Sequence, residues 1–266
     1  YLVICIVVYA FFSINYDRNQ LFFYTFLLAN VPFVLDQSLP YLAHLWSIAV
    51  EEQFYLFWPW IAKVKQKKLL RNSITLLFVL LIVKYLFYLV NYMYNVEIPI
   101  IAITVTRFYC MIIGCIAAIL YYQKSRIIDY LSSIYFSIFC WVILFLALIN
   151  RFHISSLLID HELISIITVG IIFTQINRKN YIIDLDLKPF NFIGKISYGI
   201  YVYHPLVIFF FVRYFGFFRY DVWYNYILMV FLILIITILI SYISFVFFER
   251  YFIKMKDKYS SVKSRA

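Results

Sequence analysis

The chain is poor in charge, in glycine and in cysteine. Asp, Glu, Lys and Arg make up 14% of its 266 residues, where a soluble domain carries about 25%. Its five glycines, Gly114, Gly170, Gly194, Gly199 and Gly216, form no G-x-G-x-x-G and no phosphate loop. The four cysteines, Cys5, Cys110, Cys115 and Cys140, stand in apolar runs without C-x-x-C spacing. That is the setting of small core hydrophobes rather than of a zinc or redox centre. There is no H-E-x-x-H, since His161-Glu162 continues into Leu-Ile-Ser, and no metal site is expected. No Pro-, Gly- or Ser-rich linker and no internal repeat divides the chain. An initial Met is lacking too. The chain opens at Tyr1 inside an apolar run, 1–14, with no basic lead and no small-residue cleavage site. The run is therefore expected to be a span cut at its front rather than a signal peptide.

What is present is apolar and aromatic. Apolar residues make up 65% and aromatic residues 23%, with 29 Phe and 26 Tyr, and the mean hydropathy is +0.90. No soluble core of this size hides so many large rings, so the composition is that of a polytopic membrane protein. A helical span needs roughly 17–25 residues. Runs of that kind fall near 46–62, 73–92, 103–122, 133–149, 161–176, 197–212 and 224–247. With 1–14 they predict an all-α transmembrane helix bundle of about eight spans. The stretch 20–35, broken by Pro32, is expected at the membrane interface.

The net charge of +10 resolves into orientation. The loops after every second span hold Lys63, Lys65, Lys67, Lys68, Arg71, Lys124, Arg126, Arg178, Lys179, Lys188 and Lys195, and the tail adds Arg250, Lys254, Lys256, Lys258, Lys263 and Arg265. These are 17 of the 23 basic residues. Arg18, Arg151, Arg213 and Arg219 lie on the opposite side, and Lys84 and Arg107 fall within spans. The positive-inside rule makes the first side cytoplasmic, with the C-terminus on it. The expected organisation is a membrane domain over 1–250 and a basic cytoplasmic tail over 251–266. The charge is a topology signal and gives no reason to expect nucleic acid.

Ionisable groups within spans mark function by default. In His44-Leu-Trp-Ser-Ile-Ala-Val-Glu-Glu-Gln-Phe-Tyr55, His44, Ser47, Glu51 and Tyr55 step by three, four and four, so they share a helical face. Glu51 and Glu52 are adjacent carboxylates near the top of a span, where one could serve as a raised-pKa acid or base. The alternative is a lead-in that caps and anchors, with Trp46, Trp58 and Trp60 as interface belt. Arg107 lies about 6 Å and Glu51 about 7.5 Å inside the outer ends of their spans. An ion pair of Arg107 with Glu51 or Glu52 would satisfy both, and snorkelling of Arg107 is the other possibility. Ser197, Tyr201 and His204 step by four and three, forming a hydroxyl, phenol and imidazole stripe beside Pro205. A structural histidine is the competing reading there. Phe248-Glu249-Arg250 closes the last span and more often caps and pairs locally. Lys84 has no evident partner, and His153 and His161 are expected in a solvated outer loop.

His44-Leu-Trp-Ser-Ile-Ala-Val-Glu-Glu-Gln-Phe-Tyr-Leu resembles the signature of the acyltransferase family 3 membrane proteins. Three further segments follow in the family's order: Thr106-Arg107 with Gly114, Ile196 to His204, and Phe248-Glu249-Arg250. The resemblance covers residues 44–250. It implies an integral-membrane O-acyltransferase of a bacterial cytoplasmic membrane. Acyl-CoA, such as acetyl-CoA, would be the donor substrate, with no bound cofactor. The acceptor would be a hydroxyl of a cell-surface glycan such as lipopolysaccharide O-antigen, exopolysaccharide or similar. It assigns catalytic roles to Glu51, Glu52, Arg107 and His204, and substrate contacts to His44, Trp46, Ser47, Tyr55, Ser197, Tyr198 and Tyr201. The family also carries an Arg and a His in its first span, the His being the favoured base, and a cytoplasmic R-x-x-R. This sequence shows neither, and His44 is not a replacement for that His. A glycan transporter or flippase, and a catalytically inactive relative, are the rival readings. A transporter more often shows an internal repeat. Acceptor, acyl group and oligomeric state are open at this point.

Overall fold

The computed structural model describes Cys5, Val8 and residues 18–39, 41–155, 158–178, 180–215 and 223–259. Every regular element among them is helical: the all-α class is as expected. The helices are α1 (Arg18–Thr25), α2 (Asn30–Val34), α3 (Trp46–Ala62), α4 (Gln66–Tyr94), α5 (Ile98–Thr106), α6 (Phe108–Tyr122), α7 (Ile127–Leu131), α8 (Ile134–Leu148), α9 (Asp160–Asn177), α10 (Lys188–Phe215), α11 (Trp223–Ser244) and α12 (Arg250–Tyr259). A single 3-10 turn, Ala43–Leu45, leads into α3, and a π-helical turn, Phe245–Glu249, joins α11 to α12.

Among the described residues four helical stretches are long and apolar enough to cross a membrane: Lys68–Tyr94, Ile98–Tyr122, Lys188–Tyr214 and Trp223–Lys256. Helices α3, α8 and α9 occupy three more of the expected spans. The anticipated first span, 1–14, lies outside the described residues apart from Cys5 and Val8, and so does the end of the basic tail. In the 20–35 stretch the break falls at Phe26–Ala29, where Leu27 has φ 58°. Pro32 sits in the first turn of α2, where its missing N–H interrupts no ladder bond.

The chain groups into two compact units. One comprises Leu39–His44 together with the chain from Leu185 onward. In it α10 and α11 pack along each other, and both meet the π-helical turn. The buried side of α10 carries Ile196, Gly199, Val202 and Leu206, spaced by three, three and four. Gly199 lets α11 approach closely there: a Cβ would lie 3.0 Å from the Ser241 side chain on α11 and 3.3 Å from Glu249 Oε1.

The second unit comprises Leu45–Asp184 with the preceding helices α1 and α2. Here α4 packs on α5 and α6, and α9 packs on α6, α7 and α8. Cys140, Ile167 and Ile171 form the buried α8–α9 seam. Gly170 lets the two helices close, since a Cβ there would meet Phe136 Cε1 at 2.5 Å and Cys140 Sγ at 2.8 Å. Ser133 caps α8 by accepting the amide of Phe136 at 3.3 Å.

One expected span is not a continuous helix. Between α5 and α6, Arg107 adopts φ 47°, ψ 27°, the left-handed conformation, which costs a non-glycine residue about 1–2 kcal/mol. Its N–H closes α5 on the Ile103 carbonyl at 3.2 Å, and its carbonyl accepts from Cys110 N at 2.9 Å to open α6. The span also begins at Ile98 rather than near 103. Arg107 is therefore about 14 Å along the helix from that end instead of about 6 Å, and the depth match with Glu51 does not hold.

Candidate functional site

In the first unit three aromatic groups singled out from the sequence converge. The His44 ring lies 5.4 Å from that of Tyr201 and 5.5 Å from that of His204, centroid to centroid, and Tyr201 and His204 are 5.9 Å apart. The Tyr201 hydroxyl donates to the carbonyl oxygen of His44, tying α10 to the turn before α3. His204 Nδ1 lies 3.1 Å from the carbonyl of Ile200, one turn earlier on α10. That carbonyl accepts only, so Nδ1 carries a proton, and in the neutral ring the lone pair is at Nε2. His44 Nε2 is buried without a hydrogen-bond partner. Burial first, and the neighbouring His204 second, push the His44 imidazole down from 6.5 to about 4. The His44 ring is therefore neutral near pH 7, and its Nε2 faces a place without a hydrogen-bond donor of its own.

The helix carrying His204 is braced from behind. Tyr203 and Ser244 hydroxyls are 3.0 Å apart, and Ser244 donates to Glu249 Oε1 at 3.2 Å. The π-helical turn brings Glu249 to this chain of hydrogen bonds. Two motifs noticed separately in the sequence, Ile196 to His204 and Phe248-Glu249-Arg250, thus meet here. Ser197 does not join the cluster. It is exposed and donates to its own helix at Gly194, 2.9 Å away, and Tyr198 is exposed as well.

The second unit holds the other expected residues. The Arg107 guanidinium sits 5.3 Å over the Trp46 ring, and its Nε donates to the Thr104 carbonyl at 3.1 Å. The expected ion pair with Glu51 or Glu52 does not form. Both carboxylates are exposed, as is Tyr55, so burial does not force them to find a cation. Ser47 lies one residue beyond Trp46 on α3 and is half-buried. Gln53, the next residue after Glu52, is the one that bonds, donating to Leu27 O at 2.9 Å and to Asn30 Oδ1 at 2.8 Å.

The strongest buried charge interaction here was not anticipated. Lys84, 1% exposed, lies 2.7 Å from Glu162 Oε1 and donates to the Leu158 carbonyl at 3.0 Å. Its ammonium also sits 4.2 Å over the Tyr109 ring. Reading Lys84 as partnerless, and the 161–162 region as solvated loop, is thereby corrected. His161 and Glu162 form the first turn of α9, and Glu162 is buried. An isolated lysine in a span should have prompted a search for a carboxylate near the end of another span. His153 is exposed and lies near Asp160, whose Oδ1 accepts the amides of Ile154 and Ser155, each at 2.9 Å.

With this geometry in hand, comparison with known proteins is decisive for the family. The profile of the acyltransferase domain of family 3 matches residues 1–246. The chain belongs to acyltransferase family 3. Among relatives of this family-3 chain, the O-acetyltransferase OatA of Staphylococcus aureus is 27% identical over 194 residues, covering 68% of this chain and 32% of that protein. The peptidoglycan O-acetyltransferase OatA of Listeria monocytogenes is 27% identical over 242 residues, covering 78% of this chain and 37% of the relative. The chain thus spans about a third of the length of these curated relatives. No solved structure matches it.

Proposed function

We propose that this family 3 chain catalyses transfer of an acetyl or other acyl group from acyl-CoA to a hydroxyl of a cell-wall glycan. The named activity of its relatives favours peptidoglycan over lipopolysaccharide as the acceptor. The observation that carries the reading is the paired imidazoles of His44 and His204, with His204 Nε2 left as an acceptor by the Ile200 carbonyl. The acceptor hydroxyl forms a C–O bond to the acyl carbon while its proton passes to imidazole. The C–S bond of the thioester then breaks, and the thiolate leaves with a proton returned from the imidazolium. We assign to His204 the holding or passing of that proton. Tyr201 positions the His44 segment. Trp46 and Arg107, with Ser47, Glu51, Glu52 and Tyr55 on the same helix as Trp46, offer contacts to substrate, and Ser197 and Tyr198 line α10 beyond the imidazoles.

The proposed orientation follows the basic loops: Lys63–Arg71, Lys124–Arg126 and the tail on the cytoplasmic side of a bacterial membrane, where acyl-CoA is available. His204→Ala should lower acyl transfer in membranes about 100-fold or more, and Tyr201→Phe should lower it less. Unchanged transfer in His204→Ala would refute the role given to this imidazole. Glycan flux without any acyl transfer would favour a transporter.

A further inference from the structure

Unsatisfied buried polarity is concentrated in one part of the second unit. Seven buried side-chain atoms among the described residues lack a hydrogen-bond partner. Four of them, Thr104 Oγ1, the Tyr109 hydroxyl, His161 Nδ1 and Glu162 Oε2, belong to the Arg107 break and the first turn of α9. These two pieces of chain adjoin. Lys84 bridges them, with Glu162 Oε1 2.7 Å away and the Tyr109 ring 4.2 Å away, and Cys110 Sγ lies 3.6 Å from the His161 carbonyl. Buried polar groups ordinarily have partners, so four orphans in one neighbourhood require an explanation. One of the four, Glu162, lines a cavity of about 370 Å³ together with Leu81, Lys84, Tyr85, Leu158 and Ile159, within the range of about 300–1,000 Å³ of small-molecule sites.

The chemistry of the orphans restricts what could bind. At the cavity the unpartnered atom is Glu162 Oε2, a carboxylate oxygen, which only accepts. The Lys84 ammonium is already held by Glu162, the Leu158 carbonyl and the Tyr109 face. A phosphate or carboxylate would meet Glu162 without a cation to spare. A neutral ligand is favoured, with an O–H or N–H group for Glu162 and an apolar face for Leu81, Tyr85 and Ile159. A pyranose ring has both.

We propose that the Lys84–Glu162 pair and its cavity form a saccharide-binding subsite. Glu162 Oε2 accepts from a sugar hydroxyl or acetamido N–H, and Lys84 holds the carboxylate in place through Oε1. The proposal rests on the glycan-acceptor reading above. The test uses the whole chain in phosphatidylcholine nanodiscs, with N-acetylglucosamine tetramer as probe and calorimetric titration as readout. The double variant Lys84→Met/Glu162→Gln removes both charges, so neither is stranded in the interior. It should bind the tetramer about tenfold or more weakly than the parent chain, without a fall in thermal midpoint. Its acyl transfer to glycan should suffer in KM rather than kcat. Should that variant unfold, Glu162→Asp keeps the charge and withdraws the accepting oxygen, and must weaken binding likewise. Equal affinity in the folded variants, or no binding by the parent chain, overturns the proposal. Sugar binding that depends on Glu162 in a chain devoid of acyl transfer would instead refute the acyltransferase reading and leave this subsite standing.

Discussion

Asp160 shows how a single carboxylate can organise a loop. Burial alone raises its pKa, but the amides of Ser155 and Ile154 and the His153 ring together outweigh it, holding the carboxyl below its ordinary 3.8. A depressed folded-state pKa contributes stability that is fully present above the unfolded value and is lost as pH falls through the folded one. The contacts of the Ile154 and Ser155 amides with Asp160 should therefore persist from neutrality down to about pH 4 and open below it. Hydrogen exchange at the Ile154 and Ser155 amides reads this directly. Asp160→Asn should expose both amides at neutral pH and remove the acid transition. Persistent protection in that variant would contradict the assignment. Arg107 makes a second residue-scale case. Arg107→Gly relieves the left-handed backbone, so helix content should be unchanged or slightly higher by circular dichroism. Acyl transfer should nonetheless fall, because the guanidinium over Trp46 is gone. Full activity in this variant would mean that only the break matters.

Helices that close on a glycine set the element scale. Gly170 stands where any side chain would collide with Phe136 and Cys140. Gly170→Ala should lower stability by about 1–3 kcal/mol, read as a lower thermal midpoint in detergent. Gly114 has nothing within 4 Å of a built Cβ, so Gly114→Ala should leave the midpoint unchanged or raise it. Equal effects at the two positions would contradict the packing described. These elements also show what could be read in advance. The helices over 46–62, 73–92 and 197–212 were legible because apolar runs of membrane length have few alternatives. The stripe of Tyr201 and His204 was legible from helical spacing, and its meeting with His44 came only with the fold. The break at Arg107 was not legible, because a left-handed arginine leaves no mark in an apolar run that reads evenly as helix. The Lys84–Glu162 pair was missed for a related reason: the two residues are 78 positions apart, and periodicity reports only on neighbours along one element.

At the scale of the whole molecule, the described residues form apolar helices with few buried polar groups. Its two units hold different chemistry. One carries paired imidazoles backed by Tyr203, Ser244 and Glu249; the other carries Arg107 on Trp46 and a buried lysine–glutamate pair. In the proposed topology the net charge of +10 belongs mainly to the loops and tail on the cytoplasmic side. Single cysteines introduced at Lys124 and Asn150, in an otherwise cysteine-free chain, test the proposed orientation. A membrane-impermeant thiol reagent applied to intact cells should label position 150 and not 124, and the reverse pattern would invert the topology. The chemistry itself has a more direct test: radiolabelled acetyl from acetyl-CoA, followed into peptidoglycan in membranes from cells that express the protein. Base-labile label should accumulate in the glycan with the parent sequence and fall about 100-fold or more with His204→Ala. Incorporation that is independent of the protein, or equal in the variant, would contradict acyl transfer through this imidazole.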